Sequence, residues 1–116
     1  MGTAQLGVGD LDKAENAFME GLVRDETVPH LWVQRAVIAQ QRGQYKSAMD
    51  ALRQAEFLAP DLPEVQLNLA YNFDHEGNTK LALRHYKEYL SLTEGKASYH
   101  RVRRKVLERV IRRRNS

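Results

Sequence analysis

Residues 29–60 decide the fold, and they read PHLWVQRAVIAQQRGQYKSAMDALRQAEFLAP. In the first half, apolar and small residues recur at intervals of three and four, so they share one face of a helix. Pro29 suits the first turn of that helix, and Gly43 can take the positive φ that a helix end often needs. The second half has an apolar stripe of its own, and Pro60 prevents its continuation. The stretch therefore predicts two helices in a hairpin, Pro29–Arg42 and Tyr45–Leu58.

The pattern recurs when the chain is shifted by 34 residues. The coinciding sets are Gly9, Gly43 and Gly77; Ala14, Ala48 and Ala82; and Phe18, Leu52 and Tyr86. Alanine at such a position lets two helix axes approach to about 8 Å, where a larger side chain would separate them. The repeat predicts a second hairpin formed by helices Leu62–Glu76 and Thr79–Leu92.

These residues resemble the tetratricopeptide repeat, whose pattern is Trp-x2-Leu-Gly-x2-Tyr, then Ala-x3-Phe, then Pro. The middle unit carries Trp32, Ala48 and Pro60 of this pattern, with Ala36 standing for the glycine, Leu52 for the phenylalanine and departures at Arg35 and Ala39; Gly43 and Tyr45 lie between its two parts. The next unit matches at Leu69, Ala70, Phe73, Gly77, Ala82 and Tyr86, with Gln66 and Glu94 replacing tryptophan and proline. The resemblance covers about residues 1–95. It implies a superhelical scaffold whose first helices line a concave groove for a partner.

We therefore expect an all-α, helical-hairpin repeat solenoid of about two and a half repeats plus a C-terminal capping helix. The parts of this single domain are a partial repeat at 1–28, repeats at 29–62 and 63–95, and a basic capping helix at 96–116. The capping helix, Ala97–Arg114, would cover the open end of the stack with an apolar stripe. That stripe comprises Tyr99, Val102, Val106, Leu107, Val110 and Ile111. The incomplete first repeat predicts either truncation of a longer array or pairing with another copy, so a homo-oligomer is an open alternative.

The resemblance places partner-binding residues on the first helix of each unit. The predicted groove residues are Val33, Gln34, Val37, Gln41, Leu67, Asn68, Tyr71, His75, Arg101 and Arg104. They predict a bound peptide or helix, held through apolar side chains and with an acidic group towards the capping helix. The alternative is that Val33 and Leu67 only seal the hairpin core. One branch of the family grips a terminal carboxylate with a lysine and asparagines, and only Asn68 resembles that set.

Charge is distributed unevenly, because nine of the 18 lysines and arginines lie in residues 96–116 against one acid, Glu108. This basic segment has three readings: the polar face of a cap, a contact for a protein partner, or a surface for nucleic acid or anionic lipid. Aromatic residues interleaved for base stacking are absent beyond Tyr99, which makes specific nucleic-acid binding a weak alternative. The leading functional hypothesis is a non-enzymatic protein-binding module or scaffold. A structural self-assembling repeat is a further alternative.

Chemistry-bearing motifs are weak in this chain. It has no cysteine, which excludes disulfides, thiolate metal sites and a cysteine nucleophile. The adjacent side chains of Asp74, His75 and Glu76 point around a helix and are expected to be solvated, and His85 and His100 are expected to be isolated. We predict no catalytic residues, no metal and no cofactor. No signal peptide or long apolar run is present, so we expect a cytoplasmic protein without a membrane span.

Overall fold

The structure, a computed structural model, describes residues 28–114. This part contains five α-helices and one short 3-10 turn, and no strand. The helices are α1 (Pro29–Gln41), α2 (Tyr45–Leu58), α3 (Pro63–His75), α4 (Thr79–Leu92) and α5 (His100–Arg114), with the 3-10 turn at Ala97–Tyr99. The described residues divide into two compact units, with the boundary in the chain between Ala59 and Pro60. The partial repeat predicted at 1–28, and the self-association expected from it, lie outside the described residues.

Helices α1 and α2 form the first hairpin as predicted, with α1 one residue shorter at its end. Gly43 adopts a φ of +75°, and the Gln44 amide donates to the Ala39 carbonyl oxygen over 2.8 Å, which closes the end of α1. The core consists of small side chains with few exceptions. Its fully buried members are Ala36, Ala48, Leu52 and Ala55, none of which is exposed at all.

Helices α3 and α4 form the second hairpin with the same turn, because Gly77 has a φ of +82°. Helix α3 begins one residue later and ends one residue earlier than predicted, while α4 has the predicted bounds. The side chain of Asn78 accepts a hydrogen bond from the Leu81 amide over 3.2 Å and caps α4. This core contains aromatic side chains, since Phe73, Tyr86 and Tyr89 are all buried.

The capping segment differs from the single helix predicted over Ala97–Arg114. It begins with the 3-10 turn, and α5 then packs against α4. Only part of the predicted stripe faces inward. Val106 and Val110 are buried, whereas Leu107 and Ile111 are 44% and 56% exposed. The prediction that both of these residues are covered was wrong, because one helix packing on a hairpin buries a narrower stripe than α5 carries.

Candidate functional site

A stripe of four residues runs along one face of α3, and its two ends differ from its middle. The residues are Glu64, Leu67, Tyr71 and Asp74, spaced by three, four and three. This spacing keeps side chains on one side of a helix over almost three turns. The ends are therefore carboxylates, and the middle is apolar and aromatic.

The capping segment carries a matching stripe. Tyr99, Val102, Val106, Arg109 and Arg113 follow one another at intervals of three, four, three and four. Its apolar middle includes Val106, which is buried, and Val102, which is half-buried. The polar ends of this stripe reach the carboxylates of α3, so that side chains connect the capping segment to α3 at two places about 15 Å apart along α3.

The first connection joins Tyr99 to Glu64. The Tyr99 hydroxyl donates to Glu64 Oε1 over 3.1 Å. The Tyr99 ring meets Tyr89 edge to face, with centroids 6.1 Å apart and planes inclined by 78°. Burial, followed by the neighbouring charges, raises the pKa of Tyr89 to about 12. Both tyrosines therefore remain neutral over the physiological pH range and act as hydrogen-bonding and packing groups.

The second connection is centred on Asp74. Its carboxylate accepts a hydrogen bond from the Tyr86 hydroxyl over 3.0 Å and pairs with Arg109 over 3.1 Å and with Arg113 over 2.6 Å. The Asp74 side chain is only 7% exposed, so the expectation of a solvated helix end was wrong for this residue. The cause is tertiary, because the arginines come from α5. One carboxylate against two guanidinium groups leaves an excess of one positive charge.

Tyr71 lies between these two connections along α3 and remains open to solvent. The residue is 38% exposed, and its ring meets Tyr86 edge to face at a centroid distance of 6.0 Å and an angle of 70°. Burial raises the pKa of Tyr71, and the nearby Arg109 guanidinium lowers it in part. Tyr71 is therefore a held aromatic side chain with an exposed part, close to the positive charge of Arg109.

A separate polar contact lies within the second hairpin. His85 Nδ1 is 2.7 Å from Gln66 Oε1, and the His85 ring stacks on Phe73 with centroids 5.4 Å apart. Gln66 also donates to the Pro60 carbonyl oxygen over 2.9 Å. The expectation that His85 is isolated was wrong, because Gln66 and Phe73 both lie on α3 and face it from the paired helix. This contact satisfies buried polar atoms inside the hairpin.

The predicted groove residues differ in their access to solvent. Val33 and Asn68 are buried, Val37 and Leu67 are half-buried, and Gln34, Gln41, Tyr71, His75, Arg101 and Arg104 are exposed. The Asn68 amide nitrogen donates to the Glu64 carbonyl oxygen over 2.8 Å, within its own helix. In the second unit, Leu67 and Tyr71 share the α3 stripe, while Arg104 shares a face of α5 with Leu107 and Ile111. The role of these residues in binding a partner stays a prediction.

Three arginines of α5 are used within the second unit. Arg109 and Arg113 pair with Asp74, and Arg103 donates to the Leu90 carbonyl oxygen over 2.5 Å and to Thr93 Oγ1 over 2.7 Å. Contacts of this kind are what the cap reading expects, and that reading stays a prediction. The exposed cations of α5 are Arg101, Arg104, Lys105, Arg109, Arg112 and Arg114.

Sequence reasoning missed the Asp74 cluster and the contact between Tyr99 and Glu64. Both connections, Tyr99 to Glu64 and Arg109 to Asp74, join residues 35 positions apart. That common separation, with an acid at one end and an arginine or tyrosine at the other, is a signal that the sequence carries. This separation can be interpreted as a pair of contacts only when it is known that α3 and α5 run in the same direction.

The described part of the chain offers neither a metal-binding cluster nor a membrane-spanning helix. Between residues 28 and 114, no group of three or more histidine, aspartate or glutamate side chains is arranged to hold a metal ion. None of the helices in the same part of the chain is long and apolar enough to cross a membrane.

Comparison with known proteins agrees with this architecture. The tetratricopeptide repeat family model matches residues 29–72. No curated protein sequence matches the chain.

Three solved structures illustrate the likeness of fold. The Yersinia enterocolitica type III secretion chaperone SycD, in complex with a peptide of the translocator YopD, has a TM-score of 0.84 at 16% identity, covering 91% of this chain and 81% of that one. PcrH, in complex with the chaperone binding region of PopD, has a TM-score of 0.82 at 13% identity, with coverages of 92% and 80%. The first tetratricopeptide domain of human RPAP3 has a TM-score of 0.73 at 18% identity, with coverages of 93% and 85%. At such identities, the likeness shows the fold alone.

Proposed function

We propose that this chain, whose residues 29–72 match the tetratricopeptide-repeat model, is a non-enzymatic module that binds a peptide or helix of a partner protein. The α3 stripe supports this proposal. Its ends are held by Tyr99 of the 3-10 turn and by arginines of α5, and its middle offers Leu67 and the exposed part of Tyr71. A surface that is already ordered loses little conformational entropy when it binds a partner.

The geometry of Tyr71 is the single observation that carries the proposal. An aromatic side chain that is fixed by an edge-to-face contact, yet 38% exposed, has the character of the anchors that dominate binding energy at protein interfaces. Leu67, one turn earlier on the same face, extends the apolar surface. SycD and PcrH, which share the fold, are described with a partner peptide and a partner's chaperone binding region. This chain would use its own α3 stripe in a comparable way.

The test is selection of peptides from a random display library on the intact chain, followed by nuclear magnetic resonance titration. Bound peptides should shift the backbone signals of Leu67, Tyr71 and His75 more than those of Lys80 and Lys87, which are exposed on α4. Tyr71→Ala should weaken binding about tenfold or more, since it removes an anchor. Phe57→Ala is a matched control, because Phe57 is an aromatic residue with 84% exposure on α2.

Two outcomes would contradict this proposal. One is a complete failure to select peptides on the folded chain. The other is full retention of binding by the double variant Val37→Asp, Tyr71→Ala, which changes the predicted residues of both first helices.

A second candidate function is favoured by the exposed cations of α5. Apart from Arg109, which is paired with Asp74, they are Arg101, Arg104, Lys105, Arg112 and Arg114, with Glu108 as the one acid of the helix. Such a surface could bind nucleic acid or an anionic membrane. Binding of single-stranded RNA or phosphatidylserine vesicles would then fall steeply with salt, whereas apolar peptide binding would show a slope near zero.

A further inference from the structure

The positive charge that remains at the Asp74 cluster lies beside the only exposed aromatic residue of the α3 stripe. Asp74 neutralises one of its two arginines, and Arg113 makes the shorter contact at 2.6 Å. Arg109 makes the longer contact at 3.1 Å, and its side chain is 47% exposed. The residual charge is therefore presented to solvent through Arg109.

Tyr71 lies close to the same cluster through its ring contact with Tyr86. Tyr71 and Asp74 are three residues apart on one face of α3, and Tyr86 contacts both of them. Asp74 Oδ2 accepts from both the Tyr86 hydroxyl and Arg109 Nη1, so the guanidinium group lies next to the phenol whose ring contacts Tyr71. The lowering effect of Arg109 on the pKa of Tyr71 agrees with this proximity.

From this arrangement we infer that Arg109 and the Tyr71 hydroxyl form a subsite for the side-chain carboxylate of an aspartate or glutamate in the bound peptide. The inference rests on the proposed function and adds the chemical class of the partner. An arginine and a phenol are both hydrogen-bond donors, and together they can occupy the two oxygens of one carboxylate. Leu67 would receive an apolar side chain of the same peptide, one helical turn away.

An internal acid fits this place better than a terminal carboxylate does. The subsite lies within the stripe, with Leu67 on one side of Tyr71 and the exposed His75 on the other, so a peptide can continue in both directions. The surrounding charge also favours an acid. Lys105 and Arg112 lie one turn from Arg109 on α5, opposed by Glu108 alone on that helix.

The test uses the intact chain and a random peptide library displayed so that every peptide is internal to its carrier. Wild-type protein should enrich peptides with an aspartate or glutamate near an apolar residue. Arg109→Gln should lose that enrichment. Arg114→Gln, which removes the same charge from an exposed position near the end of α5, should retain it.

A double-mutant cycle then measures the contact directly. With one selected peptide, acetylated and amidated at its ends, glutamate to glutamine should weaken binding to wild type about tenfold, as expected for a charge-assisted hydrogen bond. The same peptide change should have little effect on binding to Arg109→Gln. Tyr71→Phe keeps the ring and should reduce the preference for the acid by a smaller factor. Since this variant leaves the Asp74 pairs intact, it decides the question even if Arg109→Gln weakens the docking of α5.

The outcomes separate the two proposals. If no peptide is selected, the proposed function fails and this inference fails with it. If peptides bind with no preference for acids, or if Arg109→Gln and Tyr71→Phe both retain the preference, the inference fails while the proposed function stands. A preference that requires an unamidated C-terminus also overturns it, because the subsite would then recognise a terminal carboxylate.

Discussion

The two hairpins share one repeat frame but fill it with different chemistry. Tyr86 on α4 stands 34 residues after Leu52 on α2, and both are completely buried. Leu52 brings only methyl groups into its core, whereas Tyr86 brings a hydroxyl that must find an acceptor. The acceptor is Asp74, whose counterpart in the first hairpin is Gln40. The repeat thus accommodates a buried polar side chain at the position of Tyr86 because Asp74 supplies a hydrogen-bond acceptor for it.

The difference between the two hairpins lies at the positions around which the candidate binding site is built. In the first hairpin, the core positions serve packing and are mostly alanine. In the second, Tyr86 and Asp74 continue the core into a polar cluster that holds Arg109 and Arg113 of α5. The same cluster supports the exposed Tyr71. The candidate site is therefore built on the substitutions that distinguish the second hairpin from the first.

The largest loss of stability is expected from truncating a side chain in the apolar core of the first hairpin. Leu52→Ala should reduce the free energy of unfolding by about 3 kcal/mol, because it removes a fully buried side chain and leaves a cavity. Urea denaturation would measure this loss, provided that the dependence of the unfolding free energy on urea concentration is the same in the variant and in the wild type. Leu107→Ala, at a 44% exposed position, is the control and should change stability by less than about 0.5 kcal/mol. Equal effects of the two variants would contradict the assignment of the core.

A somewhat smaller loss is expected from enlarging the small residue of the same hairpin. Ala48→Leu should cost about 2 kcal/mol, since Ala48 has no exposed surface and the added atoms would push α1 and α2 apart. Ser47→Leu adds a similar bulk at the neighbouring exposed position and should be nearly neutral. Thermal unfolding of both variants compares them directly. A neutral Ala48→Leu would show that the hairpin does not depend on close approach there.

The buried tyrosines of the second hairpin should make its stability sensitive to alkaline pH. Burial raises the pKa of Tyr89 from 10.0 to about 12 in the folded protein, so folding favours the neutral form. The resulting stabilisation is fully present below pH 10 and is lost as the pH rises from 10 towards 12. Tyr89→Phe has no group to ionise. The difference in unfolding free energy between wild type and this variant should therefore shift with pH in that window, and a constant difference would contradict the prediction.

The smallest effect on stability is expected when Asp74 of the second hairpin is replaced by glutamine, the residue at the corresponding position of the first hairpin. Asp74→Gln copies Gln40 and keeps an acceptor for Tyr86, but it removes the charge that pairs with Arg109 and Arg113. Because the arginines are 47% and 35% exposed, water screens them and the loss should be about 1 kcal/mol. Arg109→Gln in the same background should add little. Fully additive losses would mean that Asp74 and Arg109 act independently.

Much of the fold followed from local signals, and the site followed only in part. Gly43 and Gly77 marked the hairpin turns because only a residue without a side chain takes their φ at little cost. Tyr71 was predicted as a partner-binding residue from its place in the repeat. The exposure of Leu107 and Ile111 was not foreseen, because a helical stripe shows which residues share a face but not how much of that face a neighbour covers.

By itself, the sequence determined the helices, their turns and the repeat frame, since these depend on spacing, on glycine and proline, and on small residues at close contacts. Only the tertiary structure decided that Asp74 is enclosed by Tyr86, Arg109 and Arg113, and that Tyr99 reaches Glu64. Contacts of this kind join residues more than ten positions apart. They depend on the direction and register of whole helices, which no local pattern of residue types specifies.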